Sequence, residues 1–181
     1  INGRRCGYLH QGPFYRFKSD VSDRINFGDK ENVLEMTVSK ESSNPSVNMA
    51  ERRADYWNFG GIFRPVFIEA LPAFNIDRTA IDAKADGSFY ADIFLGAAMS
   101  NTAKVTAQLL DKDGKLLSQS IETPVKNGSD KVAVTGKFNN IKTWSPETPD
   151  LYYVQFTLSD NGKVKHVVKE RIGFRTIEVR P

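Results

Sequence analysis

Apolar and polar residues alternate with period two along most of this chain, and no long stretch shows a helical period. In segment 33–38 the alternation puts Leu34, Met36 and Val38 on one face of an extended strand. Further strands are predicted at 62–68, 76–83, 89–95, 104–110, 116–122, 131–137, 151–158, 164–170 and 175–179. Turn chemistry separates them: Asp113-Gly114 and Asn161-Gly162 are strong short-range hairpin signals. The pattern predicts an all-β protein. Segment 41–53 is polar, contains Asn44-Pro45 and lacks periodicity. It is expected to be a long loop, either a connector or an ordered loop with a function.

A boundary is expected at Leu71-Pro72-Ala73-Phe74-Asn75, where proline ends one ladder and alternation restarts at Ile76. Residues 73–181 then hold seven or eight strands, the size of an immunoglobulin-like β-sandwich without the paired cysteines of antibody domains. Residues 1–72 have too few strands to close two sheets. They are expected to be the carboxyl-terminal part of a jelly roll whose open strand edges invite pairing with a second copy. The chain opens on a turn at Ile1-Asn2-Gly3 and stops soon after a strand, so it is expected to be a piece of a longer protein.

Composition narrows the function classes. Of 181 residues, 25 are Lys or Arg and 22 Asp or Glu, a net charge of +3 that is too small and too mixed to argue for nucleic acid. Lys163, Lys165, Lys169 and Arg171 share odd-numbered spacing and are expected on one solvated strand face. No membrane-spanning run occurs. The single cysteine, Cys6, excludes an internal disulfide and suits a buried small side chain better than a nucleophile. His10 and His166 are isolated, so no metal-ligand cluster is expected, and nothing implies a cofactor. Glu35, Glu69, Asp82 and Glu122 sit at polar positions of strands and are expected in water.

The densest chemistry lies in Asp55-Tyr56-Trp57-Asn58-Phe59-Gly60-Gly61-Ile62-Phe63-Arg64. An acid, three aromatics and a Gly-Gly pair run straight into an apolar segment. Aromatic rings cover the apolar face of a pyranose and a carboxylate accepts from its hydroxyls, so Asp55 and Trp57 are candidate substrate-binding residues. The other reading makes Asp55 a brace for its own loop and Trp57 a packing anchor.

This string resembles the D-x-W-x-x-(S/G)-G-I-(F/Y)-R motif of glycoside hydrolase family 2, the group of β-galactosidases, β-glucuronidases and β-mannosidases. Ile1-Asn2-Gly3-Arg4, Asp20-Val21-Ser22 and Gly28 with Asn32-Val33-Leu34 resemble further elements of that family's sugar-binding jelly roll. Trp144-Ser145-Pro146, Pro149, Leu151-Tyr152 and Ile172-Gly173-Phe174-Arg175 resemble elements of its immunoglobulin-like domain. Trp144 and Tyr152 are expected in sandwich packing, and Arg175 as a structural donor. The resemblance implies a non-catalytic accessory region. A catalytic (β/α)₈ barrel carrying two glutamates would follow it, with a carbohydrate as the parent enzyme's substrate. Retaining glycosidases set two carboxyl groups about 5 to 5.5 Å apart, and no such pair is expected here. In family β-galactosidases the aspartate matching Asp55 helps hold the galactosyl unit, in some members beside a sodium ion. Asn58 stands where some of them carry arginine. A secreted or periplasmic setting is an analogy from the family. The alternative is a free-standing β-sandwich that binds carbohydrate or protein.

Overall fold

The computed structural model describes residues 1–12, 15–53 and 60–179, the Arg52 side chain excepted. They form two compact units, Ile1–Ile68 and Glu69–Pro181. All strands among the described residues lie in the second unit: β1 (Ile76–Ala83), β2 (Ser88–Leu95), β3 (Lys104–Leu110), β4 (Ile121–Pro124), β5 (Lys131–Lys137), β6 (Tyr152–Asp160) and β7 (Lys163–Ile172). The fold is all-β, as the alternation requires.

The strands form two antiparallel sheets, ordered β1-β2-β5 and β4-β3-β6-β7. Period-two alternation turns one side of each sheet inward. Phe89, Ala91, Ile93 and Leu95 of β2 meet Val105, Ala107 and Leu109 of β3 and Val154, Phe156 and Leu158 of β6 in one buried core. Each large side chain so buried contributes roughly 1.5–3 kcal/mol. In antibody domains the second and sixth strands of such a sandwich are joined by a disulfide. Here β2 and β6 meet through Phe89 and Phe156, ring centroids 6.3 Å apart, and Phe138 adds an edge contact to Phe89 at 5.1 Å. At the β6–β7 hairpin Asn161 and Gly162 take φ of 50° and 71°, the left-handed pair of a type I′ turn.

Several elements differ from expectation. The strand expected at 116–122 forms later, at Ile121–Pro124, and Leu116 makes only an isolated bridge to Leu110. Segment 175–179 pairs with nothing as a strand, although Arg175 donates its amide to Ala83 at 3.0 Å. The β6–β7 register shifts between Leu158 and Ser159, whose partners are His166 and Val164. Lys165 is the extra residue of that bulge, and its ammonium lies 6.0 Å from the Phe74 ring rather than in line with exposed Lys169 and Arg171.

In the first unit, segments 33–38 and 62–68 alternate as strands do, yet neither finds a ladder partner among the described residues. A strand exists only by pairing, and alternation alone supplies none. Leu34, Met36 and Val38 are each nearly half exposed. The polar segment 41–53 contains a helix, α1 (Pro45–Arg52), where a loop was expected. Asn44 caps it, its side-chain oxygen accepting the amide of Ser46 at 2.9 Å, and Pro45 fills a first-turn position that needs no amide proton. Asn48 adds a two-way clasp, accepting the Ser42 amide at 2.8 Å and donating to the Ser42 carbonyl at 2.7 Å.

Candidate functional site

Asp55 and Trp57 lie outside the described residues, as does all of 54–59. What leads into and out of that stretch is described. The capped helix α1 ends at Arg52. Beyond the stretch, Gly61 has φ 94°, a conformation that side-chain-bearing residues rarely adopt. Phe63 is exposed, with the Arg64 guanidinium 5.8 Å from its ring centroid.

The amino-terminal elements singled out from sequence do come together. Asn2 and Gly3 take φ of 52° and 72°, closing a turn in which Arg4 donates to the Ile1 carbonyl at 2.9 Å. The Asn2 side chain then donates to the Arg24 carbonyl at 2.7 Å and to Asn32 Oδ1 at 2.9 Å, and accepts the Val33 amide at 2.9 Å. Asn32 Oδ1 also accepts the Asn26 amide at 2.8 Å. Two asparagines thirty residues apart thus fasten the turn to the Asn32-Val33 segment. Asp20 braces its own turn: its Oδ1 accepts the hydroxyl and amide of Ser22, which hold the carboxyl below the ordinary 3.8. His10 stacks on Phe17 with centroids 4.2 Å apart. Cys6 is half-buried, more open than the buried position expected for it.

In the sandwich, Tyr152 and Trp144 serve packing. The Tyr152 hydroxyl accepts the Lys142 amide at 2.8 Å, and its ring meets Phe174 edge-on at 5.6 Å. A tyrosine at the start of the sixth strand, bonded back to upstream backbone, is the corner that pins this class of sandwich. Arg175, expected as a structural donor, stacks its guanidinium on the Trp144 ring. His166 ties the two sheets, its Nδ1 accepting the Ile76 amide at 3.0 Å.

Asp82 pairs with Lys84 and Glu122 with Lys104, both at 2.9 Å, and all four side chains are exposed. Glu35 and Glu69 are exposed as well. Among the described residues no group of three His, Cys, Asp or Glu is placed to hold a metal ion. No helix among them is long and apolar enough to cross a membrane.

Two features escaped sequence reasoning. Asp160 is buried, and one of its oxygens accepts the hydroxyls of Ser100 and Thr102, each at 2.6 Å. Those bonds hold the Asp160 carboxyl below 3.8. At one end of the sandwich the β3–β4 and β5–β6 connections border an open cleft of about 580 Å³, lined among others by Leu117, Asn139, Asn140, Asp150 and Tyr152. Neither feature has a sequence signature, because each joins residues tens of positions apart.

The strand order defines the second unit as an immunoglobulin-like sandwich. Residues 68–175 match the family model described as "Glycosyl hydrolases family 2". The chain belongs to glycoside hydrolase family 2. The beta-galactosidase large subunit of Leuconostoc lactis is 32% identical over 99% of this chain, which covers 28% of that protein. The beta-galactosidase of Thermoanaerobacter pseudethanolicus is 28% identical over 99% of this chain, which covers 24% of it. The crystal structure of Ruminococcus gnavus beta-glucuronidase matches 70% of this chain with a TM-score of 0.52 at 22% identity, over 20% of its own chain, and bears on the fold alone. This chain therefore spans only about a quarter of the curated relatives just named.

Proposed function

We propose that this chain is a non-catalytic accessory region of a retaining, β-galactosidase-like glycosidase. It would support the catalytic barrel and lend the Asp55 loop to carbohydrate binding. Residues 1–72 would be the carboxyl-terminal part of the sugar-binding jelly roll, and 73–181 the immunoglobulin-like domain. One observation carries the reading: proteins named β-galactosidases align with 99% of this chain, and the chain fills only 24–28% of their length.

In this reading Asp55 accepts hydrogen bonds from substrate hydroxyls, beside a sodium ion if the family pattern extends here, and Trp57 packs the loop or covers a sugar face. A loop fixed this way sharpens substrate position that a barrel alone leaves loose. The isolated chain should give only background turnover of nitrophenyl β-galactoside, β-glucuronide and β-mannoside. In the longer protein, Asp55→Ala should cut kcat/KM by about 1.5–3 kcal/mol, the scale of a charged hydrogen bond, with the melting temperature unchanged. Unchanged kcat/KM would remove Asp55 from the site. A fall in melting temperature that tracks the loss of activity would make it a loop brace.

A further inference from the structure

The cleft at the end of the sandwich has a chemistry that packing does not require. Leu117, Ile141 and Leu151 give it apolar walls, and the Tyr152 ring is held in place through its hydroxyl by the Lys142 amide. Asn139, Asn140 and Asp150 stand on its rim, and among the described residues their side chains make no hydrogen bond. The charged lining residues are Asp111 and Asp150 against Lys112 and Lys142, two of each sign. Lys112 is already paired with Asp113 at 2.9 Å, and Asp111 already accepts the amides of Asp113 and Lys115. The groups left over are two amides, one carboxylate and one ammonium.

We propose that this cleft is a carbohydrate subsite for an uncharged pyranose unit. A cleft of a few hundred Å³ with apolar walls and a few convergent polar groups is the usual form of a small-molecule site. An amide both donates and accepts, which suits the vicinal hydroxyls of a sugar, and Asp150 accepts from a hydroxyl whose own oxygen stays free to accept from an asparagine amide. The apolar walls and the Tyr152 ring face the sugar's C–H surface. The lining carries no net charge, so it offers a uronate or sulfated unit no attraction to offset the cost of stripping water from its anion, and a neutral unit binds better. The subsite lies on the sandwich, apart in sequence from the Asp55 motif. The proposal rests on the reading of this chain as part of a glycosidase, in which a second contact on the same polysaccharide would raise the local concentration of substrate.

The test uses the whole chain, isotope-labelled and titrated in separate experiments with methyl β-galactopyranoside, methyl β-glucopyranoside and sodium glucuronate while amide shifts are followed. Saturable shifts confined to 109–118 and 138–152 are expected for the neutral glycosides, with Kd of about 1–10 mM, and binding of glucuronate at least about tenfold weaker. Asn140 has φ 58°, so Asn140→Gly removes the amide and keeps the backbone at ease. That change and Asn139→Ala should each weaken binding about tenfold. Should Asn140→Gly disturb shifts throughout the strands, Asp150→Asn reads the same site. Absence of saturable shifts, equal binding of glucuronate, or variants that bind as the parent does would each overturn the proposal. Shifts confined to 53–61 would overturn it too, while supporting the Asp55 motif. Failure of the accessory-region reading is seen separately, in the kinetics of Asp55→Ala in the longer protein.

Discussion

The Arg175 guanidinium stands 4.9 Å from the Trp144 ring centroid, and the Trp144 backbone amide donates to the Phe174 carbonyl at 2.9 Å. The tryptophan is therefore seated against the segment that follows β7, with Gly173 beneath it. A Cβ at Gly173 would meet Trp144 Cβ at 2.8 Å and Cγ at 2.9 Å, closer than such contacts allow. Gly173→Ala should cost about 1–3 kcal/mol of stability by overpacking, read from urea denaturation. Stability equal to the parent would mean that Trp144 has room to move aside.

Tyr152→Phe keeps the ring against Phe174 and deletes the oxygen that accepts the Lys142 amide. About 0.5–1.5 kcal/mol should be lost, the net worth of one such bond. A denaturation midpoint that does not move would show that water replaces the hydroxyl fully.

Asp160 is one of the carboxyls that make stability depend on pH, with Asp20, Asp86 and Asp92. Its carboxyl is held below 3.8 chiefly by the Ser100 hydroxyl and next by that of Thr102. A depressed carboxyl stabilises the fold above its ordinary pKa, and the benefit fades as pH falls through the lowered value. Melting temperatures of the parent and Asp160→Asn should therefore differ most near neutral pH and converge below pH 3.8. A gap that stays constant down to strong acid would assign the stabilisation to shape rather than charge.

Phe156 is fully buried between the sheets. Phe156→Ala should destabilise the sandwich by about 3–5 kcal/mol, the usual cost of emptying such a site. A loss below 1 kcal/mol, on that same scale, would indicate collapse of the neighbouring Phe89 into the space.

Hydrogen exchange should separate the two units. Amides of β2, β3 and β6 are held in ladders on both sides and should open only with global unfolding. Those of 33–38 have no ladder among the described residues and should exchange far faster. Equal protection in dilute monomer would show that the first unit pairs in a way its ladders do not reveal.

The sandwich was legible because its signals are local. β1, β3 and β5 fall where alternation puts them, and Asn161-Gly162 forms the hairpin its dipeptide announces. The helix at Pro45–Arg52 was missed: Asn44-Pro45 is a cap followed by a first-turn proline, but the polar composition and the lack of periodicity pointed to a loop. The shift of β4 to Ile121–Pro124 was not legible, since an edge strand is set by its neighbour and not by its own pattern. At the candidate site the sequence singled out Asp55 and Trp57. It gave no hint that Asn139, Asn140 and Asp150 gather at one cleft, because loop residues meet only once strands have been ordered.

The contact between Phe89 and Phe156 has one more consequence. A sandwich clasped by rings instead of sulfur needs no oxidant to mature, and no reductant can unfasten it. Its fold is thus indifferent to the redox state of its surroundings. Exposure of this unit to a strong thiol should leave its unfolding curve where it was.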